Sequence, residues 1–379
     1  MKLLFISHYS GVYGAAKSML SLILDLRDRY GVDSIVLLPT DGPLCDELRS
    51  NNIKYYISHY YWWVNDNKGV FQWLLNKRKQ LLNFYRLKRI LRILEGDNID
   101  IVYSNSVTIN IGMFIANKLN VSHVWHFRES LVQFNLSLSL SLSLSKYLLR
   151  QSTNKAYIMI SDYMMDFYKS YLPEDRMKRI YNGISLPETV CRKNPNVLLE
   201  SLKIACVGVL SDQKNQLELL RAVNLLKDKN KYIEVYLIGT SKTEYQAILT
   251  DYVLKNSLEN NIHFIGHVDN VWSILKSMNI GVVCARDEAF GRTTIEFMLM
   301  KMPIIVSNSG ANPELINNDF GKIYELGNCQ QLANTIEYYY DNPNILHEEG
   351  EIAYKHVIKN FSREQNTDNI YNLLTTLKQ

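Results

Sequence analysis

Two carboxylates eight positions apart, Glu288 and Glu296, lie in the segment whose residue types are best suited to chemistry. Glu288 follows an apolar run, 280–285, that predicts a buried strand, and Glu296 lies in the first turn of a helix predicted to start near Thr293. In open α/β sheets ligands bind at the carboxyl ends of strands, and a helix N-terminus suits a phosphate. Carboxylate oxygens accept hydrogen bonds from sugar hydroxyls. The segment therefore predicts a pocket for a sugar joined to a diphosphate.

The same segment also has a purely structural interpretation. Residues 293–296 form the pattern of a capping box, in which Glu296 serves only the helix start. Glu288 is then an ordinary loop carboxylate. Pro303 ends the predicted helix, and 304–306 predicts the next strand.

The composition predicts an ordinary globular protein. The chain has 379 residues, of which 47% are hydrophobic and 21% charged, so we expect two or three domains. A net charge of +4 is too slight to indicate nucleic acid. Five scattered cysteines favour a reducing cytoplasm over a disulfide framework or a zinc site. Because no run of about 18 apolar residues occurs, we expect no transmembrane helix and a cytoplasmic location.

Strand and helix patterns alternate twice along the chain. The first series opens with a strand over 3–7, a glycine turn with Gly11 and Gly14, and a helix over 15–29. The second series starts with a strand over 203–209. This alternation predicts an α/β protein with two Rossmann-like domains facing each other across a cleft.

A basic stretch, 74–94, contains seven lysines and arginines and no acid. Its apolar residues recur at nearly helical spacing, and Trp62, Trp63 and Trp73 precede or open it. One interpretation is a helix that attaches to an anionic membrane surface. The other is a domain helix with an apolar core face and a solvated basic face. We expect no nucleic-acid partner, because no nucleic-acid-binding motif accompanies the patch.

Two further segments have no predicted regular element. Residues 136–145 alternate Leu and Ser without exception and are of low complexity, and residues 187–196 are typical of a linker.

The segment around Glu288 resembles the E-x7-E motif of retaining GT-B glycosyltransferases of family 4. The residues that carry the resemblance are Glu288, Phe290, Gly291, Glu296, Met298 and Pro303. The resemblance implies a GT-B fold, two facing Rossmann-like domains with a deep interdomain cleft. It implies an acceptor-side domain over 1–186, a nucleotide-sugar-binding domain over 187–350, and a C-terminal helix, 351–379, that packs back on the first domain.

The resemblance also implies roles for individual residues. Glu288 would bind donor-sugar hydroxyls with help from the Phe290 and Gly291 amides, and Glu296 would bind the ribose. His126 would lie near the donor sugar, with His123 as the alternative. The remaining implied contacts are Arg128 and Glu129 on the acceptor side, and Gly11, Gly14, Gly208, Lys214, Thr293 and Thr294 around the donor phosphates.

One position departs from the family pattern. Family members commonly carry an arginine where this chain has Val209, so Lys214 lacks the bidentate partner that arginine offers a phosphate. We expect Arg292 to supply the missing cation, with Arg286 as the alternative.

The resemblance implies a retaining glycosyltransferase that takes a nucleoside-diphosphate sugar and needs no metal or other cofactor. The implied acceptor is a glycan or lipid-linked glycan, in surface polysaccharide or glycolipid assembly. Two alternatives remain: a GT-B sugar-nucleotide epimerase or hydrolase, and a non-catalytic scaffold that binds a nucleotide sugar.

Overall fold

The computed structural model describes residues 1–12, 14–65, 69–131, 137–138, 142–185, 201–229, 231–241 and 243–378. The predicted linker lies outside these residues, as do residues 136 and 139–141 of the Leu-Ser segment and Tyr13 within the glycine turn. The chain divides into two compact units. The first unit comprises Met1–Gly183 and Arg363–Gln379, and the second comprises Ile184–Ser362.

The strands are short and mostly apolar. They are β1 (Lys2–Ile6), β2 (Asp33–Leu38), β3 (Lys54–Ile57), β4 (Val64–Asn65), β5 (Ile101–Ser104), β6 (Ser122–Phe127), β7 (Ser137–Leu138), β8 (Asn154–Met159), β9 (Met177–Arg179), β10 (Leu202–Val207), β11 (Ile233–Ile238), β12 (Ile262–Gly266), β13 (Ile280–Val283), β14 (Ile304–Ser307) and β15 (Gly321–Tyr324). The central strands are buried along most of their length, as expected for parallel sheets that helices cover on both faces.

Helices connect most of the strands. They are α1 (Gly14–Tyr30), α2 (Pro43–Ser50), α3 (Gly69–Ile93), α4 (Ile111–Leu119), α5 (Leu142–Leu149), α6 (Asp162–Tyr168), α7 (Gln216–Asn224), α8 (Thr243–Lys255), α9 (Val271–Leu275), α10 (Arg292–Leu299), α11 (Asn312–Leu315), α12 (Cys329–Asp341), α13 (Ile345–Asn360) and α14 (Arg363–Leu377). Within the described ranges, none of these helices has an apolar stretch long enough to span a bilayer.

The described residues of the first unit form a seven-stranded parallel sheet in the order β3-β2-β1-β5-β6-β8-β9. Helix α1 buries Ala16, Met19, Ile23 and other residues at three- and four-residue spacing, which turns one face to the sheet. The last helix, α14, packs beside α1. The Tyr30 and Tyr371 rings stack with their centroids 3.7 Å apart. The C-terminal helix is therefore part of the first unit.

The second unit contains a six-stranded parallel sheet in its described residues, in the order β12-β11-β10-β13-β14-β15. The chain first adds strands on one side of β10 and then returns to add β13 on the other. The boundary between β10 and β13 is a topological switch point, where Rossmann-like sheets leave a crevice for ligands beyond the strand ends. Helix α10 packs tightly on this sheet, because a Cβ atom at Gly281 would lie 2.1 Å from the Phe297 ring.

The structure corrects the single C-terminal helix implied over 351–379, because two helices occupy this segment. Helix α13 ends at Asn360, whose side-chain amide donates to the His356 carbonyl oxygen at 2.8 Å. Phe361 is buried, and Ser362 pairs with Ile184 before α14 begins. The division between the units falls at this interruption.

Candidate functional site

Two opposite charges meet at the switch point of the second unit. Lys214 follows β10 and Glu288 follows β13, and the Lys214 ammonium donates to the Glu288 carboxylate. Their side chains are 28% and 12% exposed. The structure therefore brings together the lysine and the carboxylate that the sequence assigns to a diphosphate and to a sugar.

The backbone beneath Lys214 leaves little room. Gly208 has a φ of +142°, and the aliphatic part of the Lys214 side chain lies 3.6–3.8 Å from the place where a Cβ atom would be. A Cβ atom at Gly239, after β11, would lie 2.2 Å from the Gly208 carbonyl oxygen. Val209, which replaces the family's arginine, is 46% exposed. Both glycines allow the strand ends to approach each other.

Arg286 fastens the loop that carries Lys214. Its Nε donates to the Asp212 carbonyl oxygen at 3.1 Å, and Nη2 donates to Asn215 Oδ1 at 3.2 Å. Its backbone N–H donates to the Gln213 carbonyl oxygen at 2.9 Å. Arg286, the alternative candidate for the missing cation, thus holds the loop after β13 against the loop after β10.

A second loop encloses the backbone of Glu288. The Ala311 N–H donates to the Glu288 carbonyl oxygen at 2.7 Å. Gly310 has a φ of +63°, and a Cβ atom there would lie 2.3 Å from the Glu288 nitrogen and 2.5 Å from its oxygen. Only glycine fits this contact, so the loop fixes the position from which the Glu288 side chain starts.

The capping box considered for 293–296 is not formed. Helix α10 begins at Arg292, one residue earlier than predicted, and its N-cap is Gly291 with a φ of +91° and no side-chain cap. Glu296 instead lies in the helix body and accepts from Arg292 Nε at 3.3 Å. The structural explanation for Glu296 as a capping residue is therefore wrong.

The predicted phosphate contacts at the start of α10 fall into two groups. The Thr294 hydroxyl donates to Asn312 Oδ1 at 2.9 Å, and both side chains are fully buried. Thr294 is thus left with its backbone N–H as a phosphate donor. Thr293 and Arg292 are partly exposed, and Arg292 faces the carboxylate of Glu296.

At positions 290 and 291, packing leaves the backbone as the part that a ligand could contact. The Phe290 side chain is 4% exposed, and its ring centroid lies 6.2 Å from that of Phe361. A Cβ atom at Gly291 would lie 2.7 Å from Leu315 Cδ1. This packing is compatible with the predicted amide contacts and excludes a larger residue at 291.

His126 is enclosed in the first unit. Its ring is fully buried in β6, Nδ1 lies 2.6 Å from the Tyr103 hydroxyl, and Nε2 has no hydrogen-bond partner among the described residues. Burial, and then the nearby charge of Arg128, hold its pKa well below the usual value, so the ring is neutral. The alternative, His123, is equally buried and bonds Ser104 and Asn154. The role of His126 near the donor sugar stays a prediction.

Arg128 and Glu129 are also largely buried, and their role on the acceptor side stays a prediction. Arg128 is 9% exposed and donates to Asn105 Oδ1 at 3.0 Å and to Asn182 Oδ1 at 2.5 Å. Glu129 accepts from the Ser106 hydroxyl at 2.9 Å. Burial raises the pKa of Glu129 to about 7.

The glycine turn after β1 is open. Gly14 starts α1 with a φ of +43°, and no heavy atom lies within 4 Å of the place where its Cβ would be. Gly11 is partly exposed, three residues before it.

Helix α3, which contains most of the basic stretch, has a buried apolar face and an exposed face. Leu87, Ile90 and Leu94 near its end are buried in the core of the first unit. Another face is exposed and carries both apolar and basic side chains at three- and four-residue spacing: Lys77, Arg78, Leu81, Phe84, Tyr85, Lys88, Arg89 and Arg92. We call these eight residues the α3 exposed face.

Sequence reasoning did not single out Gly310 or Asn312, and it named Arg286 only as an alternative cation and not as a support of the site. Arg286, Gly310 and Asn312 position Lys214, Glu288 and α10 through contacts between loops that are far apart in the chain, and no local pattern predicts such contacts. Among the described residues, no group of three or more His, Cys, Asp or Glu side chains is placed to hold a metal ion.

Two family models match the chain. "Glycosyltransferase Family 4" matches residues 12–187, and "Glycosyl transferases group 1" matches residues 190–356. The chain belongs to these glycosyltransferase families. Each model covers most of one unit, and the second covers Lys214, Glu288 and α10.

Relatives of this family 4 chain include two glycosyltransferases of capsular polysaccharide biosynthesis from Staphylococcus aureus. CapM is 27% identical over 191 residues, 49% of this chain and 50% of CapM. CapH is 26% identical over 233 residues, 60% of this chain and 64% of CapH. The chain thus matches only half to two thirds of the length of these relatives.

Solved structures extend the likeness over the whole chain. HepE from Anabaena in complex with UDP has a TM-score of 0.80 and 19% identity, with all of both chains covered. At this identity the likeness establishes the fold, which is GT-B, with two Rossmann-like parallel sheets.

Proposed function

We propose that this chain is a glycosyltransferase that moves a sugar from a nucleoside-diphosphate sugar to a glycan or lipid-linked acceptor. The observation that carries the proposal is the Lys214–Glu288 pair at the switch point of the second unit. A cation and a carboxylate side by side match a diphosphate joined to a sugar. The naming of CapM and CapH for capsular polysaccharide biosynthesis supports an acceptor in surface polysaccharide assembly.

Binding of the donor exchanges the partners of the pair. Lys214 turns from Glu288 to the diphosphate, whose other oxygens accept from Arg292 and from the free N–H groups at the start of α10. Glu288 is released to accept from hydroxyls of the transferred sugar, and Glu296 accepts from the ribose. Each interaction of the leaving diphosphate with a cation stabilises the charge that develops as it departs.

We propose that transfer retains the configuration at the sugar's anomeric carbon. The bond from that carbon to the diphosphate oxygen breaks, and the acceptor oxygen bonds to the carbon on the same face. The acceptor's proton passes to the departing diphosphate oxygen. This route asks for cations around the diphosphate and for no separate base, and Lys214 and Arg292 supply such cations.

Attachment to a membrane is a further part of the proposal. The α3 exposed face has Leu81 and Phe84 exposed by 66% and 59%, flanked by five basic side chains. Exposed apolar groups beside cations fit the interface of an anionic bilayer. Such attachment would bring a lipid-linked acceptor to a protein on the cytoplasmic side.

A thermal-shift panel of UDP-, GDP-, ADP- and CMP-sugars tests the proposal first, and transfer to a glycan acceptor follows with the sugar nucleotide that stabilises the chain. We expect one nucleotide to raise the melting temperature and the Lys214→Ala variant to lose that increase. Turnover of the donor in water with no acceptor dependence would indicate the hydrolase or epimerase instead. Donor binding without turnover with any acceptor would indicate a scaffold.

A further inference from the structure

The first unit contains an open cavity of about 370 Å³ beyond the ends of three neighbouring strands. His8 and Tyr9 follow β1, Thr40 follows β2, and the run from His59 to Trp62 follows β3. These are carboxyl ends of parallel strands, the edge at which open α/β sheets bind ligands. The cavity lies wholly within the first unit, and none of the residues predicted to be catalytic, to bind the donor or to contact the acceptor lines it.

Aromatic rings form one wall of the cavity. Trp62 is 42% exposed, and its indole N–H donates to the His8 carbonyl oxygen at 2.7 Å, which fixes the plane of the ring. Tyr61 is held by Asn83, which bonds the Tyr61 N–H at 2.8 Å and its carbonyl oxygen at 2.9 Å. Fixed, accessible aromatic faces suit the apolar C–H face of a sugar ring.

Two cations flank the same wall. Lys79 and Arg86 are seven residues apart on α3 and so project from one side of the helix. Lys79 Nζ lies 5.9 Å from the Tyr61 ring centroid, and Arg86 Cζ lies 4.3 Å from it. Lys79 lines the cavity, and Arg86 lies behind Tyr61.

Two buried polar atoms at this wall lack a partner. Arg86 Nη1 and His8 Nδ1 are shielded from solvent, and neither has a hydrogen-bond partner among the described residues. Buried polar atoms without partners are costly, and His8 lines the cavity, so a ligand hydroxyl that bonds its Nδ1 would remove that cost. The Glu129 carboxyl, 4.0 Å from His8 Nε2, has a pKa raised to about 7 by burial, so it is only partly charged at neutral pH.

We propose that this cavity is an acceptor subsite for a sugar ring that carries a phosphate. The ring stacks on Trp62 and Tyr61, and the phosphate accepts from Lys79. The Arg86 guanidinium lies behind Tyr61 and adds positive charge to the same wall. The inference rests on the proposed function, because an acceptor is needed only if the chain transfers a sugar. A sugar phosphate could be soluble or linked to a lipid, and the cavity recognises the part that both share.

The test titrates the full chain with α-D-glucose 1-phosphate and follows binding by saturation-transfer NMR. The nucleoside diphosphate chosen by the thermal-shift panel is present at saturation, because glucose 1-phosphate resembles part of the donor. Glucose and inorganic phosphate are titrated in parallel. We expect glucose 1-phosphate to bind at least about tenfold more tightly than either fragment.

Variants assign the binding to the cavity. We expect Trp62→Ala to weaken it at least about tenfold, Trp62→Phe to retain most of it, and Lys79→Gln to weaken it about threefold to tenfold. Ile57→Ala is the matched control, since Ile57 is also 42% exposed, lies in β3 and does not line the cavity. If Trp62→Ala proves unfolded by circular dichroism, the Lys79→Gln result decides.

Unchanged affinity in Lys79→Gln, or in a folded Trp62→Ala, would overturn the proposal. So would equal binding of glucose and glucose 1-phosphate. A dodecyl glucosyl phosphate in phosphatidylcholine vesicles distinguishes a lipid-linked acceptor from a soluble one. Tighter binding than that of glucose 1-phosphate supports a lipid-linked acceptor, and equal binding supports a soluble one. Failure of the proposed function has a different signature, because the wild-type chain would then transfer no sugar to any acceptor, whether or not it binds glucose 1-phosphate.

Discussion

Replacing Glu288 by glutamine separates the two roles of the Lys214–Glu288 pair. In the free protein the Glu288 carboxylate pairs with the Lys214 ammonium, which the proposal assigns to the donor's diphosphate. Glu288→Gln frees Lys214, so we expect the bare nucleoside diphosphate to bind more tightly. The sugar nucleotide should bind more weakly, because its hydroxyls lose a charged acceptor.

The magnitudes follow from the exposure of the pair. With side chains 28% and 12% exposed, the pair is partly screened and contributes about 1 kcal/mol, so its loss should strengthen diphosphate binding about fivefold. A hydrogen bond to a charged group contributes about 1.5–3 kcal/mol. The sugar nucleotide should therefore bind Glu288→Gln about twofold to thirtyfold more weakly, after the gain at the diphosphate is included. Lys214→Ala should weaken both ligands at least about tenfold.

Isothermal titration calorimetry at constant ionic strength measures both ligands on each variant. Lys322→Ala is the matched control, since Lys322 and Glu349 form a 2.8 Å pair with side chains 27% and 8% exposed in the same unit. It should change stability without changing either affinity. Weaker binding of the bare diphosphate to Glu288→Gln would refute the reasoning, as would an unchanged ratio between the two ligands.

Four further predictions concern separate parts of the chain. Arg292→Ala should weaken donor affinity about threefold to tenfold by calorimetry, and an unchanged affinity would show that Arg292 does not replace the family's arginine. Gly310→Ala should abolish transfer and lower the melting temperature more than Gly31→Ala does. Gly31 is the control because it has a similar φ of +61° and its Cβ would meet no neighbouring atom among the described residues. Equal effects of the two substitutions would contradict the contact between the Gly310 loop and Glu288. Burial raises the pKa of Glu129 to about 7 from 4.5, so its contribution to stability is full below pH 4.5 and lost as the pH rises through 7. Between pH 4.5 and pH 7, the free energy of unfolding measured with urea should fall by up to about 3 kcal/mol more in the wild type than in Glu129→Gln. The same dependence of the unfolding free energy on pH in both proteins would contradict this prediction. Phe84→Glu should reduce sedimentation with anionic vesicles at least about fivefold while leaving donor affinity unchanged, and undiminished sedimentation would remove the proposed membrane surface.

Local patterns predicted most of the second unit. The apolar runs before Gly208 and Glu288 are buried strands, because parallel strands covered on both faces need continuous apolar residues. The start of α10 was off by one residue, since the left-handed backbone of Gly291 sets it and the capping-box pattern at 293–296 does not. The presence of a glycine at 291 does not by itself predict that its backbone is left-handed.

The sequence predicted less of the first unit, because it did not indicate which polar side chains are buried or where the edge strand lies. His126 lies near the end of a strand, and the sequence does not predict that the surrounding strands and Tyr103 enclose it completely. The edge strand β3 was missed, since its four residues alternate too little to stand out. The aromatic residues that follow β3 were consequently seen as neighbours of a basic helix and not as the wall of a cavity.

The central claim is that the donor's diphosphate takes Lys214 from Glu288. A crystal structure of the chain with the sugar nucleotide selected by the thermal-shift panel tests it most directly. The account predicts a diphosphate oxygen about 3 Å from Lys214 Nζ and the Glu288 carboxylate bonded to sugar hydroxyls. An intact Lys214–Glu288 pair with the nucleotide bound elsewhere would contradict it.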